Sequence, residues 1–143
     1  MKNIAEKILD KPLILKLSRN ILIAIPSILI IYHALVVTGV ITPDHVWIGQ
    51  IDNKQKLYSL EILAITLNLL LVFTGIKSRD LRRLNKAFHI FLSLLSWYMV
   101  GNTVANLFAE SLIEKVLFTP LMIFLTCSVW VIKLKARPVL DLK

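Results

Sequence analysis

The chain has one cysteine, Cys127, in 143 residues. A lone thiol excludes an intramolecular disulfide, a CxxC redox pair and an all-cysteine metal cage. Glycine is almost as sparse. Gly39, Gly49, Gly75 and Gly101 stand far apart, so the sequence holds neither a phosphate-cradling glycine loop nor a serine nucleophile elbow. Acidic residues number 9 against 17 Lys and Arg, for a formal net charge of +8. That excess does not mark a nucleic-acid binder, because such a footprint gathers its cations on one solvated face, whereas these fall in short tethers between apolar runs. What the chain has in quantity is hydrophobic side chains: 57% of its residues, with a mean hydropathy of +0.73. A water-soluble domain of this length has nowhere to bury so much apolar surface.

The apolar residues form four charge-poor runs, at 20–41, 57–76, 87–107 and 116–132. Each is long enough, at about 1.5 Å per residue, to cross most or all of a hydrocarbon core of about 30 Å. The first run is longer than the apolar core of a signal peptide. Thr42, Pro43 and Asp44 follow it in place of a small-x-small cleavage site, so it is expected to stay attached. The second run carries one acid, Glu61. Ahead of it, Asp52 to Gln55 reads as a D-x-x-Q capping box, which predicts a helix that starts above the membrane. The third run is the least apolar, with His89, Ser93, Ser96, Asn102, Thr103 and Asn106. The S-x-x-E box from Ser111 to Glu114 marks the approach to the fourth. Pro26 and Pro120 lie inside the first and fourth runs, where each removes a backbone donor and bends its helix. Residues 1–19 read as a cytoplasmic juxtamembrane segment with Ile4, Ala5, Ile8 and Leu9 on one side and a helix restart at Asp10, Lys11 and Pro12. The remaining connections, 42–56, 77–86 and 108–115, and the tail, 133–143, are short. The expected fold is all-α: a four-helix transmembrane bundle of up-down topology.

Charge orients it. Lys2, Lys7, Lys11, Lys16 and Arg19 precede the first run. Lys77, Arg79, Arg82, Arg83 and Lys86 join the second to the third, and Lys133, Lys135, Arg137 and Lys143 follow the fourth. These 14 leave only Lys54, Lys56 and Lys115 of the 17 for the opposite side. The positive-inside rule puts the N- and C-termini in the cytoplasm. The five cations at 77–86 are also expected to contact anionic lipid on that side.

Depth then places the polar residues. His33 falls somewhat beyond the middle of the first span, Glu61 about one turn in from the outer end of the second, and Tyr98, Asn102 and Asn106 form an i, i+4, i+8 stripe in the outer half of the third. Thr119 opens the fourth at similar depth. These six residues are expected to converge in the outer leaflet. A charge in hydrocarbon costs roughly 2.5–3.5 kcal/mol on insertion scales, so Glu61 is expected to face the bundle interior. Two readings follow. In one, the polar residues are packing devices of a non-enzymatic bundle or accessory subunit, held by helix dipoles and interhelical hydrogen bonds. In the other, the chain is a small transporter or ligand-binding module in which Glu61 and His33 handle a proton or ligand and the asparagines orient it. No nucleophile, base and orienting residue share a supporting spacing, which weighs against an enzyme. Bis-histidine haem is excluded because His33 and His89 differ in depth by about 15 Å. Asp44, His45 and Asp52 lack the spacing of a metal site, so neither cofactor nor metal is expected.

The residues Tyr32 to Ile41, Val46 to Gly49, Glu61, Asn102 to Ala109 and Phe118 to Pro120 resemble a group of small bacterial four-span hypothetical membrane proteins with no assigned activity. Members of that group often carry a proline-tyrosine pair and a glycine-glycine-arginine run near the first outer loop, where this chain has Thr42-Pro43-Asp44-His45 and Ile48-Gly49-Gln50. The resemblance implies four spans and a bacterial source, hence the cytoplasmic membrane, and carries no mechanism with it; apart from it, a homo-oligomer or a place in a larger membrane complex is the expected association.

Overall fold

The computed structural model describes residues 12–41, 53–83, 86–108 and 114–136, and among these all regular structure is helical. The helices are α1 (Pro12–Val37), α2 (Lys54–Lys77), α3 (Lys86–Phe108) and α4 (Thr119–Lys135). A 3-10 segment, Ser78–Arg83, follows α2, and a π turn, Glu114–Phe118, leads into α4. The four long helical segments are each long and apolar enough to cross a membrane.

The helix ends follow local chemistry. α1 starts at Pro12, at the expected restart and ahead of the apolar run that opens at Asn20, because proline at a first helical position gives up a donor that had no partner there. It ends at Val37, short of Ile41. Gly39 takes a left-handed φ of +77°, the Val40 N–H returns to Leu35 O and the Gly39 N–H to Val36 O, each at 3.0 Å. This is a Schellman closure, which glycine enters without strain. α2 is capped by Asn53, whose side chain accepts from the Gln55 N–H at 2.8 Å, one residue later than the expected box. Asp52, Ser111, residues 1–11, and Asp44 and His45 of the weighed metal set lie outside the described residues. Pro120 falls in the first turn of α4, just after the π turn. The wider turn gives room to a ring that would otherwise meet the carbonyl four residues back.

Pairwise contacts give the arrangement. α1 packs on α2 and on α4, α3 packs on α4, and α2 and α3 have few close backbone approaches. Leu22 and Ile23 approach Gly75 while His33 meets Glu61, so α1 and α2 run antiparallel. α3 and α4 do the same, with Trp97 edge-on to Trp130 and Thr103 opposite Thr126. The buried seams repeat at i, i+4, i+7, i+11: Phe88, Leu92, Leu95 and Met99 on α3, and Leu125, Val129, Ile132 and Ala136 after it. Leu22, Leu29 and Leu71 complete this core. Toward the other end of the bundle only Val36 and Leu57 form a second, smaller cluster.

The buried seam of α2 is largely polar, with Glu61, Asn68, Thr74, Gly75 and, just past the helix, Ser78. Three of these satisfy themselves on their own helix: Asn68 Nδ2 donates to Ala64 O, Thr74 Oγ1 to Leu70 O and Ser78 Oγ to Gly75 O. Gly75 lets the backbones close. A Cβ there would lie 2.8 Å from Ile23 Cγ1 and 3.1 Å from Arg19 O, whereas a Cβ at Gly101 would meet nothing within 4 Å. Gly75→Val is therefore expected to destabilise the protein in detergent by about 1–3 kcal/mol, the usual cost of overpacking, and Gly101→Ala to leave it unchanged or slightly more stable. Melting curves of the two variants check this.

Candidate functional site

Between the main core and the Val36 and Leu57 cluster the packing runs out, leaving a cavity of ≈ 170 Å³. Its apolar wall comes from Leu29 of α1, from Leu60, Leu63, Ala64, Leu67 and Leu71 of α2, from Met99 of α3, and from Phe118 and Met122 at the start of α4. Into it project Tyr32 and His33 from α1, Asn68 from α2, and Tyr98, Asn102 and Asn106 from α3.

His33 is the pivot of this arrangement. Its Nδ1 lies 2.6 Å from Glu61 Oε2, joining α1 to α2. Glu61 is 0% exposed and the His33 side chain 12%, so the carboxylate sits behind the ring, away from the cavity that the ring lines. Tyr32, adjacent in sequence, stands edge-on to the imidazole with centroids 5.6 Å apart and in turn meets Phe118 of the π turn at 6.2 Å. With Nδ1 committed to the carboxylate and the ring braced by Tyr32, Nε2 is the nitrogen left for a ligand. A carboxylate behind a histidine fixes the ring orientation and the position of its proton, the same service that it gives catalytic and metal-binding histidines. The 2.6 Å separation needs one proton between the two atoms.

Across the cavity, each asparagine uses one amide N–H within the protein: Asn102 Nδ2 donates to Met122 Sδ at 3.3 Å and Asn106 Nδ2 to Asn102 O at 2.9 Å. Among the described residues no buried side-chain nitrogen or oxygen lacks a partner. Beneath them, Thr103 Oγ1 donates to Met99 O at 2.8 Å, and Thr126 Oγ1 lies 3.0 Å from Thr103 Oγ1 and 3.3 Å from Met99 O, so its single hydrogen is shared between them. This clasp fixes the register of α3 on α4 and so holds Asn102 beside Met122.

Of the six outer-leaflet residues named from sequence, His33, Tyr98, Asn102 and Asn106 line one cavity, and Glu61 stands directly behind it. Thr119 is buried at the head of α4 and does not line the wall. Asn68, Tyr32, Phe118 and Met122 do line it and were not among the six. Asn68 carried a signal, since it follows Glu61 by one heptad on the same face. Lys77, Arg79 and Lys86 are exposed at the α2–α3 connection, far in sequence from the cavity walls, and Arg82 and Arg83 belong to the same 3-10 segment or its end. Among the described residues no three His, Cys, Asp or Glu side chains group as metal ligands would. Comparison of the chain with family models, with curated proteins and with solved structures found no match.

Proposed function

We propose that this chain is an integral membrane ligand-binding module, a small transporter or receptor, that holds a small and largely apolar solute between its helices with the polar end on His33. In this reading the four helices span a bacterial cytoplasmic membrane with both termini in the cytoplasm, and the cavity lies in the outer leaflet. The observation that carries it is the double engagement of His33, whose Nδ1 is fixed by a fully buried carboxylate while its ring lines a cavity. A histidine that served packing alone has no need of an open side. A cavity near this size, when wholly apolar, stays dry and takes up small molecules such as benzene. Here the polar groups converge on one part of an otherwise apolar wall, the arrangement common to small-molecule sites.

The probe is butanol carrying a photoreactive diazirine, applied to purified protein in lipid nanodiscs. Illumination is expected to label wall residues such as Met99, Asn102 or Phe118, and His33→Ala, which removes the polar anchor, to reduce that labelling. Absence of label on the wall would overturn the reading.

Orientation has its own check. A reporter fused after Lys143 is expected to read cytoplasmic and one inserted near Gln50 external, because 14 of the 17 cations belong to the inner side. Each cation near an anionic leaflet contributes about 1 kcal/mol, so changing Lys77, Arg79, Arg82, Arg83 and Lys86 to Gln is expected to weaken preference for anionic lipid in a vesicle-composition assay.

A further inference from the structure

Resting on that reading, we infer that the cavity is filled sideways out of the bilayer by a neutral lipid-like amphiphile. Its hydroxyl head seats against His33, and its chain leaves between α2 and α3. α1 packs on α2 and α4, and α4 on α3, whereas α2 and α3, which both wall the cavity, have few close backbone approaches. At the Lys77 and Lys86 end they meet through Phe73 against Phe88, with centroids 6.1 Å apart. Leu63 and Tyr98 line the cavity and yet are 52% and 42% exposed, so they form its rim on the outer flank of the bundle. In a membrane-spanning bundle that flank meets acyl chains.

Size and charge select the occupant. At ≈ 170 Å³ the cavity is smaller than the roughly 300–1,000 Å³ of sites that enclose a drug-sized ligand, so it takes a head and a few carbons, and the rest of a longer molecule lies outside. Among the described residues no Lys or Arg lines it, so they offer a phosphate or carboxylate head no counter-charge. Glu61 is fully buried and already bonded to His33, which leaves a quaternary ammonium without one too. What the lining residues offer is both halves of a hydrogen-bond pair: the Tyr98 hydroxyl and the asparagine amide N–H groups can donate, the Asn102 and Asn106 amide oxygens can accept, and the second ring nitrogen of His33 does one or the other according to its tautomer. A hydroxyl both donates and accepts, and it brings no charge into a low-dielectric site.

The test compares three sixteen-carbon probes in nanodiscs: hexadecanol, hexadecanoic acid and hexadecyltrimethylammonium, each with a diazirine close to the head. On the wild-type protein the alcohol is expected to label Leu63, Leu67, Tyr98 or Met99, and the two charged probes to label them at least about tenfold less, because an unpaired charge in the site is costly. Leu63→Trp, which puts bulk on the half-exposed rim, is expected to lower hexadecanol labelling while the melting curve stays that of wild type. Equal labelling by all three heads overturns the inference. So does labelling of the wall by the butanol probe but not by hexadecanol, a result that leaves the ligand-binding reading standing. If neither alcohol labels the wall, both fail together.

Discussion

Glu61→Leu is expected to lower the stability of the protein in detergent by about 2 kcal/mol, and the double variant Glu61→Leu with His33→Leu to recover most of that loss. The magnitude lies between two reference points: interhelical hydrogen bonds in membrane proteins average about 0.6 kcal/mol, and removing one partner of a buried ion pair in soluble proteins costs about 3–5 kcal/mol. The pair here is short, at 2.6 Å, and its carboxylate is fully buried, which argues for more than the average. The cavity side of His33 lets the ring remain partly solvated after the carboxylate is gone, which argues for less than the upper figure. Recovery in the double variant follows because two leucines leave neither member of the His33–Glu61 pair without the other and pack α1 on α2 directly. Glu61→Gln separates stability from function. Its amide still bonds Nδ1 and is expected to cost under about 1 kcal/mol, but it replaces the carboxylate that orients the His33 ring, so butanol-probe labelling is expected to fall. Melting curves and butanol-probe labelling of the four variants, including His33→Leu, decide the matter. If Glu61→Leu is neutral, the pair does not hold α1 to α2.

The four helices were legible because length and apolarity suffice to mark a span, and these quantities are properties of sequence alone. Their ends were less so. Lys16 and Arg19 closed the first apolar run by charge, and it was the restart at Pro12, not hydropathy, that marked where the helix begins, since hydropathy marks where hydrocarbon begins and not where backbone hydrogen bonding does. At the other end, Gly39 was readable as a helix stop, and a run counted by apolarity passes through it. Asp52 and Asn53 are both good caps. The box pattern pointed to the first, and the structure uses the second. For the candidate site, counting along each span reached the level of His33, Tyr98, Asn102 and Asn106 but not the direction each faces. Thr119 is at the corresponding depth and turns into packed surface, while Asn68, seven residues beyond Glu61, turns onto the wall. Direction depends on which helices pair. The scarcity of close α2–α3 approaches, from which the opening follows, arises from packing choices distributed over all four helices and has no local motif.

Ala64→Phe is expected to abolish labelling by the butanol and hexadecanol probes while leaving the protein as stable as wild type or up to about 2 kcal/mol more so. Ala64 lies on the cavity wall from α2, one turn beyond Glu61 and one turn before Asn68, and it is only partly buried. A phenyl group there projects into empty volume and adds contacts with Leu29, Met99 and Met122, which border the same space. Dispersion favours the filled state, because each atom that lines a void lacks partners on one side. Asn68 donates to the Ala64 backbone carbonyl, which the substitution does not alter. The variant therefore separates an empty space left by imperfect packing from one kept open for an occupant. Packing alone gains from being filled and loses nothing else, whereas a binding site gains stability and loses its ligand. Paired with Glu61→Gln, which spares the space and removes the carboxylate behind His33, it divides the site into room and chemistry. Retained labelling in Ala64→Phe, mapped to the same residues by mass spectrometry, would place the probes outside the cavity and remove the ground for a ligand between α2 and α3.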